Sequence, residues 1–379
     1  MHNSDLRIAL SLIGSPGWHG GITYIQNIIQ ALNSLSHKPQ IFLYVDLYNI
    51  VKLEHHLHLT KEVDGLVILD PNQQLRNQLK SDIPIHFFEN HSDLFAYIDF
   101  LYPILNSSLP NYPTASWIPD FQHIHLPQFF SDKECKERNT KFDNVAKNAK
   151  LLLLSSEDVK KDFLHLYPNY SGEIKILHFH SVLPREYFPT QTQNILEKYN
   201  IHGKYLICCN QFWKHKNHIT LFKAIAELKT RGLIIPVVCT GSTTDYRNKG
   251  FFQELKLEIQ NLDISDQINI LGMIPRHDQI QLLRCSAAIV QPSLFEGWST
   301  VVEDLRSIGL PTFISNLNVH YEQNPNEAFY FDPYNSQELA NLIYSKWHAL
   351  SIGPVFDRER EAKEKLLPKI QAFGENLCD

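Results

Sequence analysis

Short apolar runs alternate along the chain with longer segments whose apolar residues recur at helical spacing. In the first half the runs are Arg7–Ile13, Ile41–Asp46, Leu66–Leu69, Ile85–Phe88, Leu151–Leu154 and Lys175–Ser181. In the second half they are Tyr205–Cys209, Val237–Thr240, Ile268–Leu271, Ala287–Val290, Thr312–Ser315 and a short one at Tyr330–Phe331. Helical patterns lie between them, over 22–32, 93–105, from Glu157 with Ser156 as its cap, and over 218–230, 251–262, 277–285 and 336–349. Strands that alternate with helices predict βα units and a mostly parallel sheet, hence an α/β fold. Val182–Pro189 carries two prolines and reads as a connector. It sets the domains as 1–185 and 186–350, with a charged amphipathic C-terminal helix in 351–379.

The stretch Ala287–Asn316 reads as strand, loop, helix and strand, with Gly309 and Pro311 closing the helix. Its loop, Leu294–Ser299, therefore lies at a strand's C-terminal end, where open α/β sheets bind ligands and helix N-termini present free N–H groups. Three acids crowd this region. Thr300-Val-Val-Glu303 fits a capping box, which gives Glu303 a structural task. Glu296, beside Gly297, and Asp304, in the first helical turn, are the ligand candidates. As residues alone they read equally well as a solvated loop acid and a complement to the helix dipole.

Other loops fall on the same edges. Gly20 and Gly21, after the first strand, allow a close backbone approach and leave amides facing outward, near His19. After Tyr205–Cys209 comes Asn210–Asn217; Asn217 is placed to cap a helix, so Lys216 stands just before a helix N-terminus, where charge and free amides together suit a diphosphate. Gly241 and Gly272 follow two further strands. In the first domain the strand end at 115–118 passes into an aromatic loop with Asp120, His123 and His125, a second candidate site; its spacing matches no standard metal ligand set, and no metal is expected.

Pro292-Ser293-Leu294-Phe295-Glu296-Gly297-Trp298-Ser299-Thr300-Val301-Val302-Glu303-Asp304, followed by Gly309-Leu310-Pro311, resembles the donor-site signature of the GT4 glycosyltransferases. That resemblance implies two Rossmann-like domains facing across a cleft (GT-B), with the C-terminal helix crossing back to the N-terminal domain. It implies transfer of a sugar from a nucleotide diphosphate sugar to an acceptor hydroxyl of a glycan, lipid-linked or surface polysaccharide precursor, with retention and without a metal or other cofactor. Glu296 would then hold sugar hydroxyls and Asp304 the ribose, with Gly297, Trp298, Ser299 and Thr300 lining the donor. Lys216 would grip the diphosphate, Gly20 and Gly21 would meet donor phosphates or acceptor, Gly241 and Gly272 would flank the nucleotide, and His123 would line the acceptor side. Two positions depart from the pattern: Gln211 stands where the family has an arginine, with Lys214 as a substitute charge, and Asp304 replaces a glutamate. These departures keep open a second reading, a GT-B-like nucleotide-sugar-binding protein without turnover.

Composition narrows the alternatives. At 379 residues the chain is long enough for two domains. A net charge of −6 argues against a nucleic-acid partner, which needs a basic face. The basic run Lys133–Lys161 is interleaved with acids and fits a solvated helix or contact with an anionic membrane surface. Six cysteines without a CxxC pair read as reduced, buried thiols. No secretory leader or apolar span is apparent, so the expected location is cytoplasmic, with peripheral membrane contact allowed. An NAD enzyme is disfavoured because no GxGxxG follows the first strand.

Overall fold

A computed structural model describes residues 6–15, 18–76, 82–189 and 192–379. The chain forms two compact units. One comprises residues up to Asp120, Lys136–Val182 and Leu367–Asp379, and the other Phe121–Cys135 and Leu183–Leu366. The segment 121–135, placed by the linear reading in the first domain, thus groups with the second unit.

Among the described residues the first unit carries an eight-stranded parallel sheet. Its strands are β1 (Arg7–Ser11), β2 (Gln40–Val45), β3 (Gly65–Leu69), β4 (Ile85–Phe88), β5 (Phe100–Leu105), β6 (Thr114–Ile118), β7 (Leu151–Leu154) and β8 (Glu173–Ile176), in the order β4-β3-β2-β1-β5-β6-β7-β8. β3 is buried at every position, as expected of a parallel strand covered on both faces. β5 departs from the sequence reading, which continued a helix through 93–105. The helix covers only His91–Tyr97, and Phe100–Leu105 pairs with β1 and β6. Pro103 has no N–H to give the ladder, and the register with β6 shifts between Leu101 and Ile104, which is how a central strand tolerates it. Ser156 caps the helix Glu157–Leu166 by accepting from the Val159 amide at 3.1 Å.

The second unit carries a six-stranded parallel sheet among its described residues, with β9 (Leu206–Cys209), β10 (Val237–Thr240), β11 (Ile268–Gly272), β12 (Ala288–Gln291), β13 (Thr312–Ser315) and β14 (Ala328–Phe331). Their order is β11-β10-β9-β12-β13-β14. Strand periodicity divides β9 between two cores: Leu206 and Cys208 pack with Phe222, Val237 and Phe313, while Ile207 and Cys209 pack with Val238, Ile289 and Leu305. Cys208, Cys209, Cys239 and Cys285 are buried free thiols, and burial pushes Cys208 and Cys209 up to about 12. Gly309 ends the helix Thr300–Ile308 in the left-handed conformation at φ 68°.

The C-terminal helix, Phe356–Cys378, runs from one unit into the other. In the second unit Glu359 takes both Nε and Nη2 of the fully buried Arg284, at 2.7 and 3.0 Å. In the first, Gly374 lies so close to the helix His19–Asn33 that a Cβ would sit 2.8 Å from the Ala31 carbonyl oxygen. Among the described residues no helix is long and apolar enough to cross a membrane.

Candidate functional site

From β9 the chain winds outward through β10 to β11, then returns to β12 on the other side of β9. The loops leaving the C-terminal ends of β9 and β12 therefore diverge at the point where the strand order reverses, the crevice in which open α/β sheets hold ligands. Lys216 lies in the first of these loops and Glu296 in the second.

The two side chains meet there. Lys216 Nζ lies 2.6 Å from Glu296 Oε1, the side chains being 18% and 9% exposed. Lys216 ends a tight turn, Lys214–Lys216, and Asn217 follows in the left-handed region at φ 56°. Asn217 is the residue before the helix His218–Thr230, yet its side chain makes no capping bond. Instead its amide donates to the carbonyls of Pro292, at 3.0 Å, and Pro333, at 2.7 Å, fastening the lysine's turn to the β12 loop. The Leu294 amide donates to the His215 carbonyl at 2.8 Å and completes that link.

Sequence reasoning missed the group beneath the ion pair. Gln291, the last residue of β12, accepts from Asn210 at 2.8 Å and donates to Glu296 at 3.1 Å and to Ser293 and Ser299 at 3.3 Å. A buried glutamine closing a strand was the available signal, but its partner Asn210 lies on another strand's loop. This network holds the Glu296 carboxylate from below while Lys216 takes it from the side.

The capping box is corrected by the structure. The helix begins at Thr300 with Ser299 as its N-cap residue, and the Ser299 side chain makes no cap bond. The Ser299 amide donates to Gln323 at 3.2 Å. Glu303 is fully buried and structural in another way, paired with Arg306 at 2.9 Å and accepting from Gln323 at 2.9 Å. Glu303→Gln leaves Arg306 facing a neutral group, so a loss of about 1–2 kcal/mol of stability is expected, read as a lower Tm with nucleotide affinity unchanged. An unchanged Tm would show that the pair contributes nothing.

Asp304 lies beyond the first turn and is buried. Its Oδ1 is 2.5 Å from Arg276, and its Oδ2 is buried without a hydrogen-bond partner among the described residues. Arg276, which opens the helix Arg276–Cys285 after β11, was also missed. Gly241 has φ 135°, and a Cβ there would lie 2.2 Å from the Asn210 carbonyl oxygen, so only glycine lets the β9 and β10 loops approach. Gly272 has φ 68° with open space where a Cβ would be. Gln211 is half-buried in the β9 loop, and Lys214 points its ammonium over the Phe251 ring at 5.6 Å. Gly297 and Thr300 are half-buried, whereas Trp298 and Ser299 are buried.

Gly20 and Gly21 occupy the first turn of the helix His19–Asn33 in the other unit. A Cβ on Gly21 would fall 2.7 Å from the Gly14 Cα, so the close approach its missing side chain permits is to the chain's own loop. His123 is buried, edge-on to Phe130 with centroids 6.2 Å apart. His125, its exposed neighbour, lies 5.1 Å from Phe295, beside Glu296. Asp120 pairs with Arg138 at 2.6 Å.

Two buried histidines near the site stay neutral. Burial, aided by the charge of Lys216, lowers His218 to about 3; its ring stacks on Phe212 at 4.3 Å. Burial lowers His320 to about 4, against the opposing pull of Glu296, and its Nδ1–H donates to the Ser315 carbonyl at 2.9 Å. In the unfolded chain each protonates near pH 6.5, so below that pH the unfolded state binds more protons. Stability is therefore complete above about pH 6.5 and declines as pH falls towards 4. A Tm that falls between pH 7 and pH 5, less steeply in His320→Gln, is expected; an identical slope in the variant would contradict this.

Residues 191–346 match the family model described as Glycosyl transferases group 1. EpsF of Bacillus subtilis (strain 168), provisionally named a glycosyltransferase, is 30% identical over 106 residues, which is 28% of this chain and 26% of EpsF. The match thus spans about a quarter of that relative. Among solved structures, Anabaena Alr3699/HepE in complex with UDP-glucose aligns at a TM-score of 0.67 and 14% identity, over 98% of this chain and 99% of that one. A glycosyltransferase from Rickettsia africae ESF-5 aligns at 0.65 and 17%, over 98% and 97%. Sucrose-phosphate synthase from Thermosynechococcus elongatus aligns at 0.62 and 13%, over 98% of each chain. At such identities the likeness establishes the fold, the α/β GT-B fold with two parallel-sheet, Rossmann-like units. With the group 1 match, it supports a GT-B glycosyltransferase.

Proposed function

We propose that this chain transfers a sugar from a nucleotide diphosphate sugar to an acceptor hydroxyl, as a retaining, metal-independent GT4 enzyme. The observation that carries the reading is the Lys216–Glu296 pair at 2.6 Å on the two loops that flank the sheet's crossover, inside the stretch that matches group 1 glycosyl transferases. A nucleotide diphosphate sugar brings its own leaving group, so the protein must offset charge developing on the diphosphate and orient the acceptor at the anomeric carbon. Lys216 supplies a cation beside the amides of the helix His218–Thr230. Glu296 accepts from sugar hydroxyls, and its pairing with Lys216 puts the sugar and diphosphate subsites side by side. Asp304, engaged by Arg276, stands on the ribose side of the site. His123 lines the acceptor side. The acceptor is a glycan or a lipid-linked or surface polysaccharide precursor, which would place the protein in the cytoplasm with contact at the membrane's inner face.

HepE is recorded in complex with UDP and with UDP-glucose, which favours a UDP-sugar as the first donor to try. Incubation with UDP-, GDP-, dTDP- and ADP-sugars and a mixture of lipid-linked and soluble glycan acceptors should release a nucleoside diphosphate together with a glycosylated product of unchanged anomeric configuration. Donor binding without product in any combination would favour the second reading, a nucleotide-sugar-binding protein without turnover. One observation supports that reading: Asp304, shorter than the family's glutamate, is already engaged by Arg276.

A further inference from the structure

We propose that Arg276, rather than Asp304, is the group this site presents to the ribose of a bound nucleoside diphosphate, and that Asp304 is its counter-ion. The inference rests on the donor reading above and refines one of its subsites.

Both residues stand on the C-terminal edge of the second unit's sheet, Arg276 after β11 and Asp304 on the helix after β12. They differ in what a ligand can touch. The Asp304 side chain is 1% exposed, whereas that of Arg276 is 32% exposed. Asp304 Oδ1 is occupied by the guanidinium at 2.5 Å, and Oδ2 is enclosed by protein. An aspartate is one methylene shorter than the glutamate the resemblance leads one to expect, and here the missing reach is filled by an arginine lying over the acid.

The guanidinium is held rather than free to swing. Nη1 donates to Gln279 Oε1 at 2.9 Å, and Gln279 Nε2 donates in turn to Thr240 Oγ1, at the end of β10, at 3.1 Å. A guanidinium has five N–H donors in a fixed plane, so two protein bonds leave donors for a ligand. Ribose hydroxyl oxygens are acceptors of the matching kind. Asp304 cancels the charge that would otherwise be costly at a partly buried site and keeps the plane oriented. In this arrangement the acid acts on the nucleotide only through the arginine.

The two assignments predict opposite results for one substitution. Removing the guanidinium exposes Asp304: if the acid were the ribose reader, its loss of a competitor would leave affinity intact or raise it. Titration calorimetry with UDP, GDP and ADP and their 2′-deoxy counterparts, and with dTDP, should show the wild type preferring the ribo forms. Arg276→Gln, which keeps an amide donor for Asp304, should bind the best ribonucleotide about tenfold more weakly and lose the preference. Arg276→Lys, which keeps a charge opposite the acid, should lose at least half of that discrimination and covers the case in which the glutamine variant does not fold. Lys216→Ala should weaken ribo and deoxy forms alike and keep the preference. Affinity retained or increased in Arg276→Gln, with Lys216→Ala still defective, would overturn this assignment while leaving the donor reading intact. A wild type that binds none of UDP, GDP and ADP would overturn this assignment, and one that binds no dTDP either would overturn both.

Discussion

Lys216→Ala is expected to weaken binding of the nucleotide sugar and of the free nucleoside diphosphate by about one to two orders of magnitude. Hydrogen bonds to a charged group contribute about 1.5–3 kcal/mol, and each 1.4 kcal/mol is tenfold in affinity. Lys216 has no equivalent nearby in the same loop, because Lys214 is directed at the Phe251 ring. The substitution also leaves Glu296, 9% exposed, with only the Gln291 amide, at 3.1 Å, among the described residues, so the variant should melt a few degrees lower. The double variant Lys216→Ala/Glu296→Gln separates the two effects. It should recover much of the lost Tm, since no carboxylate remains unpaired, without recovering diphosphate affinity. Isothermal titration with the diphosphate decides the matter: full affinity in Lys216→Ala would remove the lysine from the donor site.

Glu296→Gln is expected to act on the other half of the donor. If its carboxylate accepts from two sugar hydroxyls, its loss should slow transfer by about one to two orders of magnitude, at 1.4 kcal/mol per tenfold. The free nucleoside diphosphate has no sugar, and the substitution releases Lys216 from its partner at 2.6 Å. Diphosphate affinity should therefore stay the same or rise slightly. Comparing kcat with the diphosphate dissociation constant tests this. Loss of diphosphate binding with transfer spared at saturating donor would move Glu296 to the nucleotide and invert the map of the site.

Much of this was legible in the chain, for identifiable reasons. Apolar runs such as Val237–Thr240 and Thr312–Ser315 fell where strands lie because parallel strands covered on both faces need continuous apolar sequence. The loop Leu294–Ser299 was placed at a strand's end by the glycine and proline that close the following helix. β5 was not legible: Phe-Leu-Tyr-Pro-Ile-Leu adjoins a true helix, and a proline within it argued against a strand. The helix start after Glu296 was misread by one residue because Ser299 and Thr300 are both hydroxyl residues, and the shift moved Glu303 from a cap to a buried pair with Arg306. Gln291 with Asn210, and Arg276 with Asp304, lie 81 and 28 residues apart, and such partners depend on the sheet order rather than on local pattern.

The proposed donor site lies at the crossover of the second sheet, on Lys216 and Glu296. Its most direct test is thermal unfolding of the wild type and of Lys216→Ala with UDP-, GDP-, dTDP- and ADP-glucose, since a ligand that binds only the folded protein stabilises it by about 2.7 kcal/mol at a hundred times its Kd. One nucleotide series is expected to raise the wild-type Tm by a few degrees, and the same ligand at the same concentration to raise that of Lys216→Ala by at most about half as much. Equal shifts in the two proteins, or no shift with any nucleotide sugar, would contradict this placement.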